Sequence, residues 1–484
     1  MDQSGGKIAV GRGAKPSYDS AGSGNDRLSA LPDDTLVLIL LRLDTAAAAG
    51  RTSVLSRRWR RVWTLLPELR FSFSPAPHLI AAALAAHEAP LRHLFVGTQD
   101  ADHEPVADCL RAAARRLSGQ LIVENRRNDN EGSQEEAGEN ASFEIPCFER
   151  ATTVSLDLGF LGIAVPPAGV FARLTELTLM CVWFHGPTDL GDAISSPRCP
   201  SLQKLGIRYT IGPVNLAIHS ESLLEVELQN IFGLRQLIIH ALTLKDLKLV
   251  DCFAWTQPVA EISAPQLELL HWRDLYDPNS VQLGEMAQLQ WLTTNVFLVY
   301  GRHGSATNRA FLRLLERFQA IDTLHISLLY PKHIGDFQYL MEDVMVFPRL
   351  VGLAIHIRNE GHAFGASVFN VLRMCSGLVR FALVLDPDTD LEARCACPSG
   401  CICDQSMNWK TEELALNRLY EVLIIDMKGC DHELAFVKRL FSWAMTLQSV
   451  KVQFTSITAS KAKEVHEMVL SLAMPETRVT LEAK

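Results

Sequence analysis

Cys395, Cys397, Cys401 and Cys403 stand within nine residues as C-x-C-x3-C-x-C. Four thiols so close together can supply a tetrahedral zinc site. The spacing differs from the paired C-x2-C arrangement, so an ordinary cysteine-bearing loop, or a disulfide formed on purification, competes with a structural zinc. The fifteen histidines are scattered and form no H-E-x-x-H. His271 beside Trp272 and His325 beside Leu324 read as core or surface histidines, not ligands. No G-x-S-x-G, no P-loop and no G-x-G-x-x-G following a strand is present. Gly301-Arg302-His303-Gly304 is a turn signal, and Glu412 and Glu413 look solvated. No catalytic constellation emerges, and the chain is expected not to be an enzyme.

A second constellation lies near the start. Arg57, Arg58, Arg60 and Arg61 surround Trp59, and Leu55, Trp59 and Trp63 recur at i, i+4, i+8. The arginines suit a nuclear-localisation or nucleic-acid patch, a solvated helix face, or a surface for an acidic protein. Two tryptophans on one helix favour the protein interface. Upstream, Pro32 fits a first helical turn and Asp33 and Asp34 its positive dipole end. Leu36, Ile39, Leu40 and Leu43 form one apolar stripe. Val37, Leu38 and Leu41 are apolar as well, so the helix is greasy nearly all round. A unit of about 45 residues cannot bury two such faces in its own core; the surplus face needs a partner. Asp44 or Thr45 can cap a helix over Ala46 to Ala49, Gly50 interrupts it, and Thr52 or Ser53 starts the basic helix.

These residues carry a resemblance. LPDD followed by RTSVLSRRWRRVW is similar to the plant form of the F-box. The resemblance implies a three-helix domain that binds a Skp1-type adaptor. It assigns Leu31, Pro32, Leu36, Ile39, Leu40, Leu43, Val54, Leu55, Ser56, Arg57, Trp59 and Trp63 to adaptor-facing and core positions without separating the two. Asp44 stands where that family often has Pro, which alters the inter-helix turn.

The repeat pattern that follows is the longest signal in the chain. An apolar residue is followed three and five positions later by two more. The copies are Leu91-Leu94-Val96, Leu174-Leu177-Leu179, Leu202-Leu205-Ile207, Leu223-Val226-Leu228, Leu244-Leu247-Leu249 and Leu267-Leu270-Trp272. Later come Ile321-Leu324-Ile326, Leu350-Leu353-Ile355, Leu378-Phe381-Leu383, Leu419-Val422-Ile424 and Leu447-Val450-Val452, with a degraded copy at Leu289-Leu292. From Leu174 to Leu289 the copies start 28, 21, 21, 23 and 22 residues apart. That period is the one of leucine-rich repeats, each offering a half-buried strand. No copy can bury its apolar side alone, so stacked copies must share a core and a parallel sheet.

With 484 residues, 48% hydrophobic and 21% charged, the chain fits a soluble folded protein. Its net charge of −9 argues against broad nucleic-acid binding. No apolar run is long enough for a transmembrane helix, and Asp33 and Asp34 before Leu36 to Leu41 exclude a signal peptide. A cytoplasmic or nuclear location is expected, with seven singly placed cysteines as buried free thiols.

The end of the chain alternates strand and helix. Leu419 to Asp426 reads as strand, and Leu434, Val437, Leu440, Phe441 and Ala444 as a helical stripe. Val450 to Phe454 reads as strand, Ser460 to Leu472 as helix, and Arg478 to Leu481 as strand. This run resembles the FBD region of plant F-box/leucine-rich-repeat proteins, and would cap the open end of the solenoid. The expected class is α/β: a small three-helix F-box, a leucine-rich-repeat solenoid and a C-terminal α/β FBD cap. Expected bounds are 1–25 a disordered tail, 26–70 F-box, 85–395 repeats with a disordered loop at 124–141, and 405–484 FBD.

By that resemblance the chain would be the substrate-recognition subunit of a Skp1–cullin–F-box ubiquitin ligase. Its partners would be the adaptor, through it a cullin, and an unidentified protein substrate, with neither nucleic acid nor membrane. The competing classes are an interaction scaffold outside any ligase, and a zinc-dependent binding or redox module resting on the four cysteines.

Overall fold

The computed structural model describes residues 30–74, 77–127, 142–185, 189–253, 257–344, 347–386, 401–404, 409–455 and 459–483. The expected tail at 1–25, and Cys395 and Cys397, lie outside them.

The chain opens with helices at Asp33–Leu40, Ala46–Arg51 and Trp59–Val62. Asp33 and Asp34 occupy the first turn after Pro32, as the sequence implies. The Thr45 hydroxyl accepts the Ala48 N–H at 3.2 Å and caps the second helix. Gly50 does not interrupt that helix, which runs through it to Arg51. The basic helix is the larger correction. Thr52–Val54 is a 3-10 turn, and only Trp59–Val62 is α-helical. The Thr52 hydroxyl donates back to the Ala49 carbonyl at 2.6 Å instead of capping a new helix. Leu36, Leu40, Ala49, Trp59 and Val62 form the buried side of this unit.

Among the described residues, seventeen strands then build one sheet. Strand Glu68–Ser74 pairs in parallel with Leu91–Gln99, and that with Leu117–Arg126. Parallel pairing continues through Thr153–Ala164, Glu176–Phe184, Lys204–Ile211, Glu225–Phe232, Asp246–Val250 and Leu269–Arg273. It runs on through Trp291–Leu298, Thr323–Leu329, Gly352–Arg358 and Arg380–Leu385. Glu421–Met427, Ser449–Phe454 and Arg478–Ala483 complete the succession. Nearly every residue of the repeat triplets is buried; Leu177 and Leu289 are half-buried. One triplet cannot hide its side chains, but in register each set packs on the next, and the stack makes one continuous core.

Behind part of this sheet lies a second, four-stranded parallel sheet: Asn215–Ser220, Gln236–Ala241, Val259–Ser263 and Val281–Leu283. Its inward residues, Leu216 and Ile218, Leu237 and Ile239, Ala260 and Ile262, Val281 and Leu283, face the same core. Where repeats lengthen beyond Leu289, helices Ala306–Arg317 and Gly365–Leu372 occur between the main strands. The wider spacing is the extra chain that a helical return needs.

Within or directly after several strands of the main sheet the backbone bends through a recurrent left-handed residue. Cys181, Tyr209, Asn230, Asp251 and Asp426 each have φ between 49° and 61° and stand four positions after the middle apolar residue of a copy. Left-handed geometry in non-glycine residues costs of order 1 kcal/mol. Its repetition at one position marks it as part of the repeat itself.

The ends of two expected segments lie in strands. The main sheet begins at Glu68, inside the segment assigned to the F-box, because Leu66, Leu69 and Phe71 form a further triplet. The joint is sealed by buried His87, whose Nε2 lies 2.9 Å from the Leu66 carbonyl oxygen. Glu124–Arg126 is strand, not loop. Buried Asn125 accepts from Thr98 Oγ1 at 2.9 Å and from the Ala101 N–H at 3.0 Å, and donates to the Ala101 carbonyl at 3.0 Å. The rest of the expected loop, 128–141, lies outside the described residues. The C-terminal strand–helix–strand–helix–strand order is present, with helices Asp431–Trp443 and Ala459–Leu472. Its three strands continue the main sheet beyond Arg380–Leu385. Among the described residues, no helix is long and apolar enough to cross a membrane.

Candidate adaptor-docking and substrate-binding surfaces

The N-terminal unit leaves large apolar side chains in water. Val54 is 81% exposed, Leu38 64% and Leu55 63%, and Ile39 and Leu43 are also open. The cause is local. Helix Asp33–Leu40 turns Leu36 and Leu40 inward, one turn apart, which leaves Leu38 and Ile39 on the outer side. The 3-10 turn Thr52–Val54 projects Val54 and Leu55 away from the core.

The structure therefore sorts the twelve F-box residues. Leu36, Leu40 and Trp59 are core, and Leu31 and Trp63 are half-buried against it. Pro32, Ile39, Leu43, Val54, Leu55, Ser56 and Arg57 are exposed. Leu38, absent from the assigned set, is among the most open; its place on the outward side of a helix apolar all round was the available signal. Arg58 does not face a partner as a free cation. It pairs with Asp33 at 2.7 Å and donates to the Leu31 carbonyl, fastening the first helix to the third.

A second surface lies on the outward side of the main sheet. Each strand alternates, so the residue between two buried leucines points to solvent. Glu227 stands between Val226 and Leu228, and Lys248 between Leu247 and Leu249. Parallel register sets them side by side, with His271 next. Lys248 Nζ reaches Glu227 at 2.6 Å, and Arg208 pairs with the same carboxylate. Burial works to raise the Glu227 carboxyl, but hydrogen bonds from Lys248 and Arg208 outweigh it and hold the group low. Burial raises neighbouring Asp246, with Glu225 and Glu227 adding to the effect. These side chains line a cleft of about 250 Å³ together with Glu176, Lys204 and Thr178. Further along, His271, His325 and His356 all have pKa values lowered, first by burial and then by nearby cations including Arg273. His271 and His325 both stand on strands of the main sheet. The outward ladder was legible in the x-L-x-L spacing, but its charge pairing needed the register.

Six of the seven singly placed cysteines, Cys109, Cys147, Cys181, Cys199, Cys252 and Cys375, are free thiols. Cys430 is disulfide-bonded, so the free-thiol expectation fails there. Of the four clustered cysteines, Cys401 and Cys403 are described, and they lie near His362. Local spacing held no sign of that neighbour, 39 residues from Cys401.

Comparison with known proteins agrees with this architecture. Residues 28–71 match the family model of the F-box domain, and residues 124–288 match the model described as "FBD-associated F-box protein At5g56370, LRR repeats". The chain thus carries an F-box followed by a leucine-rich-repeat region. It is similar to proteins of Arabidopsis thaliana named as F-box/FBD/LRR-repeat proteins. One is 28% identical over 271 residues, covering 51% of this chain and 51% of the relative. Another is 30% identical over 252 residues, covering 46% and 53%. The chain spans about half the length of these curated relatives.

Proposed function

We propose that this chain is the substrate-recognition subunit of a Skp1–cullin–F-box ubiquitin ligase. F-box proteins with leucine-rich repeats are generally non-catalytic adaptors, and the matches point to no enzymatic family. The supporting observation is the set of exposed apolar residues on the F-box, Leu38, Ile39, Leu43, Val54 and Leu55. Covering one such side chain fully is worth roughly 1.5–3 kcal/mol. Several together give a Skp1-type adaptor a reason to bind and the free chain a reason to be bound.

The repeats present the protein substrate. The Arg208–Glu227–Lys248 cleft offers paired charges of both signs, which suits recognition of a folded or extended polypeptide bearing charges of its own. The contribution to ubiquitin transfer is positional: holding a substrate lysine near the ubiquitin carried by the ligase raises its effective concentration without any chemistry here.

The experiment is co-purification of the full chain with a plant Skp1-type adaptor, followed by the double variant Val54→Asp/Leu55→Asp. The wild type should hold the adaptor and the variant should lose it while keeping its thermal midpoint. A folded wild type that ignores the adaptor would leave the free-standing scaffold as the account.

A further inference from the structure

The tight turn after strand Gly352–Arg358 places a histidine against Cys401 and Cys403. Glu360 and Gly361 are both left-handed, with φ of 48° and 88°. The turn is clamped both ways: the His362 N–H donates to the Asn359 carbonyl at 2.8 Å, and Asn359 Nδ2 donates to the His362 carbonyl at 2.6 Å. Asn359 is itself buried. The Tyr330 ring stacks on the His362 imidazole, with centroids 6.2 Å apart and planes 19° from parallel. The imidazole is therefore fixed in position before any ligand arrives.

What faces it is a pair of thiols. Cys401 Sγ lies 3.4 Å from His362 Nδ1. Cys403 sits two residues on, in the 3-10 turn Ile402–Asp404, and is buried. One ligand atom from each of His362, Cys401 and Cys403 lies within 4.8 Å of the others. Around a tetrahedral zinc, with Zn–S of about 2.3 Å and Zn–N of about 2.0–2.1 Å, a nitrogen and a sulfur sit roughly 3.5 Å apart. The observed separation is such an edge. The other ring nitrogen, Nε2, lies 3.4 Å from the Lys332 carbonyl oxygen. A backbone acceptor on the far nitrogen is the arrangement that fixes the tautomer of a metal-bound histidine and leaves the near nitrogen to ligate.

A second group, Cys430, His432 and Glu433, also converges. It has a structural explanation: Glu433 Oε2 accepts the N–H groups of Lys428, Gly429 and Cys430 at 3.0, 2.8 and 3.3 Å and so caps the helix Asp431–Trp443.

We infer that His362 Nδ1, Cys401 Sγ and Cys403 Sγ are three ligands of a structural zinc that pins the turn Ile402–Asp404 to the repeat ending at Arg358. The inference does not depend on ligase membership. Binding releases the thiol protons to solvent, since zinc takes cysteine as thiolate, and forms three metal–ligand bonds with no change of oxidation state. Half-buried Cys401 lies at the outer side of the group.

The test uses the full chain purified under reducing conditions. Metal analysis should find one zinc per chain, and replacement with Co²⁺ should give a tetrahedral visible spectrum with thiolate-to-cobalt charge transfer. His362→Ala and Cys403→Ser should each lower zinc affinity at least tenfold. His362→Cys, which restores a ligand, should recover zinc and intensify the charge-transfer band, which a merely structural role for the histidine would not do. Zinc-free protein would overturn the inference. So would a folded His362→Ala variant with full zinc and an unchanged cobalt spectrum, which would assign the metal to cysteines alone.

Discussion

Leu55 and Trp59 lie four residues apart on the same basic segment, yet Leu55 is 63% exposed and Trp59 only 7%. A continuous helix would have put them on one face. The chain instead leaves the 3-10 turn at Val54 and enters the α-helix only at Trp59, so one side chain goes out and the other in. Their substitutions should separate folding from docking. Trp59→Ala should cost about 3–5 kcal/mol by opening a cavity, and circular dichroism should show the N-terminal unit melting early. Leu55→Ala should leave the melting curve in place and weaken adaptor binding by about 2 kcal/mol, as loss of an interface anchor does.

Gly365 and Trp409 make the second test. A Cβ on Gly365 would lie 2.3 Å from the indole Cζ2 of Trp409, which is fully buried against the repeat core. Glycine here permits a close approach between a repeat helix and the segment entering the last three strands. Gly365→Ala should force the indole out and cost about 1–3 kcal/mol. Hydrogen exchange should quicken in residues 409–416 and stay unchanged in the F-box.

Asp274, buried, and His325, half-buried, give opposite acid responses. Asp274 accepts the Cys252 and Phe253 N–H groups, both at 3.0 Å, yet burial raises its carboxyl from 3.8 to about 6. The stability it contributes is full below pH 3.8 and is lost as pH rises through about 6. Burial, with Arg273 nearby, lowers His325 from 6.5 to about 4. Its contribution is full above pH 6.5 and is lost as pH falls through about 4. Each shift corresponds to about 3 kcal/mol, so in the wild type the two largely offset between pH 4 and 6. Thermal midpoints across that range should rise with pH in Asp274→Asn and fall with pH in His325→Gln. Parallel curves for the two variants would show that neither group titrates as its burial requires.

Much of this was open to reading from the residues. The eleven full repeat triplets all lie on or lead into strands of the main sheet, because a three-plus-two spacing of leucines has few other ways to be buried. The final strand–helix alternation held for the same reason. The second sheet was missed although Leu216 and Ile218, Leu237 and Ile239, and Ala260 and Ile262 recur at the repeat period; two apolar residues per strand is too short a pattern to stand out. Leu66-Leu69-Phe71 was hidden inside the F-box motif. Which F-box residues face outward depended on where the basic helix broke, and no propensity marked that point. The meeting of His362 with Cys401 is set by a tertiary turn at Glu360–Gly361, beyond the reach of local spacing.

The central claim is that the open apolar side chains of the F-box exist to be covered by an adaptor. The most direct measurement is titration calorimetry of the full chain with a Skp1-type adaptor, comparing wild type with Val54→Asp/Leu55→Asp at equal thermal stability. The account predicts tight binding with a negative heat-capacity change for the wild type, and at least a hundredfold loss in the variant. Equal affinity for both proteins would contradict it.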